Sequence, residues 1–386
     1  MHSLDEFATA KMAELDANQL RRTLADSTRV GGIWVERDGK RLLSFSCNDY
    51  LNLSGHPAVI EAAIQATRQH GVGSGASRLI TGNYPLLGEL EARLAALKGT
   101  DAACVFGSGY LANSGIIPVL AGRDDLVLID ELAHACLFSG TQLTRGASLV
   151  FRHNDLAHVE ALLRAHRPNH KRVLIVTDGV FSMDGDLAPV AELAELARRH
   201  DAWLMTDDAH GLGVLGGGRG SNFSSGASDD VPLQMGTLSK AIGGYGGYLC
   251  ASRPVIELMR NRARTFVYST ALPPASTAAA LAALDVIAGD PALSARPLAK
   301  ARAFTRALNL PEAQSPIVPV IVGDAAKAVS VSRMLQDEGF LVAPIRPPTV
   351  PPGTARLRFA FTAGHPDDAI ERVAALVRER VMAEIR

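Results

Sequence analysis

Between residues 102 and 251 the chain alternates apolar runs of strand length with longer windows whose apolar residues recur at helical spacing, and few architectures accommodate that alternation. The runs are AACVF, LVLID, ASLVF, RVLIVT, AWLMTD and GYLCAS, and helical windows such as LAHVEALLRAH and VAELAELARRH lie between several of them. Strands joined through helices run parallel, because the crossover returns the chain to the edge it started from. The pattern predicts an α/β fold with a mostly parallel sheet covered by helices.

The flanks are read in the same way. Residues 1–30 are expected to form a helical arm, and GIWVERDGKRLLSFS a short hairpin turning at Asp38-Gly39. Helical spacing runs from Pro57 to His70 and again over Gly88–Gly99, where glycine closes the helix. After a helical section at 273–308 come PIVPVIVGD, a helix near Ala325–Glu338, GFLVAPIR, ARLRFAF and a last helix. These predict a smaller α/β domain packed beside the N-terminal segment. Pro347–Gly353 reads as a proline-rich loop only.

Composition narrows the function. With 386 residues, 47% of them hydrophobic, the chain can bury a large core and more than one domain. Lys plus Arg number 39 against 40 for Asp plus Glu, with neither sign gathered into a tail, so no nucleic acid and no anionic membrane is expected as a partner. Cys47, Cys104, Cys136 and Cys250 are too dispersed for a disulfide framework or a metal site and read as buried residues in a reducing compartment. The N-terminus carries acidic residues throughout and no apolar core followed by a cleavage site. The apolar stretch Ala271–Leu284 is short and opened by Pro273 and Pro274, so a cytoplasmic protein is expected.

The candidate chemistry sits at strand ends. AWLMTDDAHG puts Asp207 at the sheet's C-terminal edge, where an acid can hold a protonated ring nitrogen; Asp208 is turned to the other side by strand alternation. His210 reaches the same region. Lys240, in TLSKAIGGYGG, stands 33 residues after Asp207, among small residues and glycines that let backbone approach a flat ligand, and a lysine so placed can form an imine while a nearby hydroxyl, Thr237 or Ser239, binds phosphate. In FGSGYLANSG the backbone amides of Ser108, Gly109 and Tyr110 precede a helix and can cradle a phosphate. His134 follows LVLID and can stack on an aromatic ring or cap a helix. Asp178 and Ser182 follow RVLIVT, while Asp184 and Asp186, separated by glycine, read as a turn rather than a metal site, and no metal is expected. Arg356 and Arg358 share one face of their strand, and one of them suits a carboxylate. GLGVLG, 211–216, matches GxGxxG but is followed by GGGRGSNFSSG, which cannot open the helix a dinucleotide needs, and is read as a mobile glycine-rich loop. No serine stands in a GxSxG elbow.

In order and spacing, SCNDYLNLSGHP, GSGASRLITGN, FGSGYLANSG, DELAHACL, TDGVFSMDGD, DDAHGLG, TLSKAIGGYGG and PPGTARLRFAF resemble the α-oxoamine synthase family of fold-type I pyridoxal phosphate enzymes. The resemblance covers nearly the whole chain. It implies an aspartate aminotransferase-like fold with an N-terminal arm over 1–50, a large cofactor-binding domain over 51–285 and a small domain over 286–386. It implies pyridoxal 5'-phosphate as cofactor, an amino acid and an acyl thioester of coenzyme A or acyl-carrier protein as substrates, and a homodimer with a shared active site. Lys240 would form the imine, Asp207 pair with the ring nitrogen, His134 stack on the ring, and His210 and Ser182 contact its oxygen side. Thr237 and the Ser108-Gly109-Tyr110 turn would hold phosphate, with Thr270 reaching the phosphate of the other subunit. Asn48 would line the substrate entrance, Arg358 receive the amino acid's carboxylate, and Arg21 the carboxylate of the acyl group. Three letters depart from the family's commonest pattern: Ala133 where Asn is frequent, Asp178 where Glu is usual, and Asn52 where Gly is common.

Overall fold

A computed structural model of the chain describes residues 2–17 and 20–383. Its centre is a seven-stranded sheet built from β4 (Ala102–Phe106), β5 (Leu126–Asp130), β6 (Ala147–Phe151), β7 (Val173–Asp178), β8 (Trp203–Asp207), β9 (Leu233–Thr237) and β10 (Gly247–Ala251). The order is β4-β10-β9-β8-β7-β5-β6, and only β10 runs antiparallel to its neighbours. The expected alternation is present. β9, LQMGT, went unread because polar Gln234 and Gly236 break its apolar run, yet both are buried between β8 and β10.

Before the sheet come α1 (Ser3–Ala17), β1 (Thr28–Val30), β2 (Trp34–Arg37), β3 (Lys40–Ser44), α2 (Pro57–His70) and α3 (Pro85–Lys98). The expected hairpin pairs β2 with β3, and its turn takes positive φ at Asp38 (51°) and Gly39 (72°), the geometry that matches strand twist in a two-residue loop. The arm is not one helix to residue 30. Residues 18 and 19 lie outside the described residues, 20–27 are irregular, and Thr28–Val30 pairs with β2, as suits a stretch rich in Thr, Ser and Asp.

The C-terminal part folds β11 (Ile317–Gly323), β12 (Phe340–Leu341), β13 (Ala343–Ile345) and β14 (Ala355–Ala360) with helices at 296–308, 325–337 and 367–377. The three-stranded sheet is β11-β14-β13, while β12 pairs in parallel with β3 and so ties this part to the N-terminal hairpin. Ala360 and Ala363 donate backbone bonds to Phe45 and Tyr50, and Gly364 N–H donates to Asn52 Oδ1 at 2.7 Å. Asn52 has φ 57°, a conformation glycine adopts freely and asparagine tolerates, and its amide oxygen makes a bond that glycine would lack. No single helix among the described residues is long and apolar enough to cross a membrane.

Candidate active site

The parallel register assembles the site. Asp178 and Asp207, the last residues of β7 and β8, are direct partners, Asp207 pairs with Met235, and β9 ends two residues later at Thr237. β4 runs in the same sense as β9, so the turn after it, where α4 (Gly109–Leu120) begins, reaches the same edge. Ligands bind beyond the carboxyl ends of strands in sheets of this kind.

Asp207 is buried, and its carboxylate is surrounded by donors: Asn113 Nδ2 at 2.7 Å to Oδ2 and Ala209 N–H at 3.0 Å to Oδ1. Asp208 points away, as alternation requires. It is fully buried against Lys98, 2.9 Å from Nζ, which also donates to Arg219 O at 2.7 Å. Next to it, GLGVLG is not the loose loop expected from its glycines: a Cβ on Gly211 would sit 2.0 Å from Asp208 Oδ1, and Val214 and Leu215 are core residues. Gly211 is thus packed against Asp208, while Gly213 abuts Ala241 and Gly216 abuts Phe223.

Lys240 follows β9. Burial depresses its pKa, assisted by the Arg358 charge and opposed by Asp207, Asp178 and Cys136, so the amine is poised to shed its proton. Asp178 is held well above the ordinary carboxylate range, first by burial and then by Asp207, although the His134 backbone N–H donating to its Oδ2 at 2.7 Å works the other way. The shorter side chain at this position therefore grips His134's backbone from the neighbouring strand. His134 caps α5 (Ala135–Gln142), with Nδ1 accepting from Cys136 N–H at 3.2 Å. Burial lowers its pKa, Asp207 opposes and Lys240 assists, leaving a neutral ring.

At the turn after β4, Ser108 Oγ accepts the Leu111 N–H at 3.1 Å, and the amides of Gly109 and Tyr110 lie in the first turn of α4, ahead of its own hydrogen bonds. A Cβ on Gly109 would lie 3.6 Å from Thr237 Oγ1, which places the helix start against β9. Thr237 Oγ1 donates to Gly246 O at 2.8 Å and lies 2.8 Å from Ser239 Oγ. Thr270 is exposed; its segment is bridged to Ser77, and it lines a small hollow with Gly107, beside the same turn.

The two arginines of β14 are distinguished by their partners. Arg356 is ion-paired with Asp184 and bonded to the carbonyls of Met183 and Thr354. Arg358 is equally buried but holds only neutral oxygens: Asn48 Oδ1, 3.2 Å from both terminal nitrogens, and Ser182 O at 2.5 Å from Nε. No carboxylate pairs with it among the described residues. His210 is buried with Nδ1 2.6 Å from the Tyr50 hydroxyl, and burial, with Lys240 and Arg358 adding to it, holds its pKa well below the ordinary histidine value. Asp186 bonds His153 and Asn154. Among the described residues no group of His, Cys, Asp and Glu has the arrangement of a metal site.

A cavity of about 740 Å³ opens beside His134 and Ser182 and is walled by Arg22, Asp184 and the loop 347–352, so that loop has more than a connecting part. Arg22 lines it and approaches Thr349. Arg21, the candidate from sequence, is exposed and bonded to Asp16 at 2.8 Å instead. Sequence reasoning also missed Tyr50, Asn113 and His153. An asparagine within the otherwise apolar helix LANSGIIPVL is the one local signal that could have drawn notice to Asn113.

A family model described as aminotransferase class I and II matches residues 40–377. An 8-amino-7-oxononanoate synthase from Beijerinckia indica subsp. indica is 62% identical over 386 residues, spanning 100% of both chains. One from Methylocella silvestris is 69% identical over 347 residues, 90% of this chain and 99% of its own. Among solved structures, Sphingomonas wittichii serine palmitoyltransferase superposes with a TM-score of 0.92 at 30% identity, covering 99% of this chain and 98% of that one. The 8-amino-7-oxononanoate synthase of Francisella tularensis does so with a TM-score of 0.76 at 26% identity, covering 89% of this chain and 99% of its own. With these matches the strand-end constellation has its context: the chain belongs to the class I and II aminotransferase family, within the α-oxoamine synthases of fold-type I.

Proposed function

We propose that the chain catalyses the 8-amino-7-oxononanoate synthase reaction: L-alanine and a pimeloyl thioester, on coenzyme A or acyl-carrier protein, condense to 8-amino-7-oxononanoate with release of carbon dioxide and the free thiol. This is a step of biotin biosynthesis. Identity of about 60% or more along the chain to relatives of that name supports the choice of substrates, against 30% or less to the solved serine palmitoyltransferases. The observation that carries the chemistry is the buried Arg358 guanidinium, which meets only neutral oxygens in the site that holds a depressed-pKa Lys240.

The donor set fits pyridoxal 5'-phosphate: Asp207 for a protonated ring nitrogen, Lys240 Nζ for the aldehyde, the neutral His134 ring for stacking, and Thr237 with the Ser108-Gly109-Tyr110 turn for phosphate. When bound, the cofactor supplies an electron-poor ring that takes up charge released at the amino acid's Cα. Arg358 and Asn48 hold the substrate carboxylate, with the guanidinium's fork matching its two oxygens. Lys240 Nζ, made less basic by burial, takes the Cα proton. His210 donates from Nε2 to the oxygen of the acyl carbonyl, and Ser182 would contact the oxygen side of the bound cofactor. The acyl chain lies in the cavity beside His134, with Arg22 rather than Arg21 facing it.

We read residues 51–285 as the cofactor-binding domain and 286–386 as the small domain. The assembly is a cytoplasmic homodimer in which Thr270 serves the phosphate site of the second copy. Exposed Val72, Leu79, Ile80, Tyr110 and Tyr268 flank that threonine and the phosphate turn, and support a partner there.

The test is the visible spectrum of protein loaded with pyridoxal phosphate, titrated with L-alanine, glycine and L-serine, then given pimeloyl-CoA while carbon dioxide is followed. A change with L-alanine and release only after pimeloyl-CoA is expected. Turnover with a different amino acid and acyl-CoA alone would replace this activity by that of a glycine C-acetyltransferase or serine palmitoyltransferase.

A further inference from the structure

Tyr50 has no part in the chemistry above, yet its hydroxyl ends in the middle of it. The side chain is fully buried, and its backbone oxygen receives the Ala363 N–H at 2.7 Å, so the ring is fixed by packing and by the C-terminal segment. Its oxygen has three polar neighbours: His210 Nδ1 at 2.6 Å, Asn48 Oδ1 at 3.4 Å, and the guanidinium of Arg358.

A phenol has one proton to give. Asn48 Oδ1 is the poorer acceptor, because it is farther away and already takes two N–H groups of Arg358. Arg358, which shares Asn48 Oδ1 with the phenol, can only donate and takes no proton from it, which leaves that proton for His210 Nδ1. Burial keeps that proton in place, pushing the Tyr50 pKa up to about 12 against the pull of Arg358. A neutral imidazole that accepts at Nδ1 carries its hydrogen on Nε2. The phenol and the imidazole thus form a chain of donors pointing one way, with Arg358 beside its start at Asn48.

We propose that Tyr50 is a positioning residue that fixes His210 in the Nε2–H form and links its donation to the Arg358 carboxylate site. Arg358 and the phenol meet at Asn48 Oδ1, and a carboxylate arriving at Arg358 offsets the positive charge that favours release of the phenol's proton, which makes the phenol a weaker donor toward Nδ1. Substrate binding and the readiness of His210 to polarise a carbonyl are therefore not independent. The kinetic part rests on the function proposed above; the tautomer does not.

The experiment uses cofactor-loaded protein labelled with ¹⁵N-histidine, as wild type, Tyr50→Phe and His210→Asn, the last assigning the His210 signals by their loss. Wild type is expected to show His210 with unprotonated Nδ1 and protonated Nε2, and Tyr50→Phe a mixture of tautomers. With L-alanine and pimeloyl-CoA, Tyr50→Phe is expected to lower kcat by about tenfold or more, with KM for alanine within about threefold. The double variant should be no slower than His210→Asn alone, as befits a residue acting through another. An Nδ1–H tautomer in the wild type, an unchanged tautomer in Tyr50→Phe, or multiplying kinetic losses would each overturn the proposal. If Tyr50→Phe does not fold, the wild-type tautomer decides. If wild type shows no turnover with these substrates, the functional reading fails while the tautomer measurement still judges Tyr50.

Discussion

His153 lies away from the reacting groups but is clamped between two carboxylates, with Nδ1 3.0 Å from Asp130 Oδ1 and Nε2 2.7 Å from Asp186 Oδ2. Burial by itself would lower its pKa; the hydrogen bonds and charges of Asp130 and Asp186 outweigh it and raise the value to about 10. A histidine in the unfolded chain titrates near 6.5. Because folding raises the pKa, the stability it contributes is fully present below about pH 6.5 and is lost as pH rises through about 10. At about 1.4 kcal/mol per pH unit the interval is worth about 5 kcal/mol, a ceiling reached only without solvent screening. The imidazole is 21% exposed and Asp186 33%, so about 2 kcal/mol is the expected share. His153→Gln keeps hydrogen-bonding capacity and removes the charge. In denaturant unfolding of the holoprotein, the gap between wild type and variant should be about 2 kcal/mol near pH 6.5 and shrink to a few tenths by about pH 10. A gap that stays constant across that range would refute the reasoning, because a purely steric role for the ring has no pH dependence. Asp186 also closes the turn that presents the Ser182 carbonyl to Arg358 and Asp184 to Arg356, so the variant should bind L-alanine less tightly.

Lys240→Ala should abolish both turnover and borohydride-reducible attachment of the cofactor; an active Lys240→Ala enzyme would sink the assignment of that lysine. Asp207→Asn should keep the cofactor and lose about a hundredfold or more in kcat, since its ring nitrogen loses the anion that stabilises the charged form. Undiminished turnover would mean that another acid holds the ring. Lys98→Met should leave Asp208 buried without its cation and cost about 3–5 kcal/mol of unfolding free energy, measured in denaturant. A cost below about 1 kcal/mol would show that Ser221 N–H and neighbouring backbone suffice to hold Asp208.

What could be read from the letters was whatever depends on short-range pattern. Strand ends carrying Asp178 and Asp207 follow from apolar runs bounded by polar residues, and the parallel crossovers then bring them to one edge without further information. Asp208 is legible for the same reason, since its turn to the back of the sheet is strand alternation. β9 failed that route: Gln234 and Gly236 read as loop, and only the two flanking strands make them core. Tyr50, Asn113 and His153 are hidden for a different reason. Each acts through partners 23 to 160 positions away, at distances set by packing, and no local periodicity encodes them. Arg21 and Arg22 are adjacent in an exposed arm without heptad or strand register, so nothing in the sequence chose between them. Strand alternation alone left Arg356 and Arg358 equivalent; the family resemblance pointed to Arg358, and the ion pair of Arg356 with Asp184 is the physical difference between them.

The stitches between residues 45–52 and 360–364 also order events in time on the ribosome. The seven-stranded sheet is complete once residue 251 has emerged, with Lys240 and Asp207 already in it. Asn48 and Tyr50 emerged long before, but the backbone that pins them, and Arg358 with it, comes about a hundred residues later, roughly 5–20 s at ordinary elongation rates. Over that interval the chain carries every strand of the central sheet but neither the backbone that pins Tyr50 nor the guanidinium that meets Asn48, so a chain ending before residue 355 would lack one wall of the site however complete its sheet.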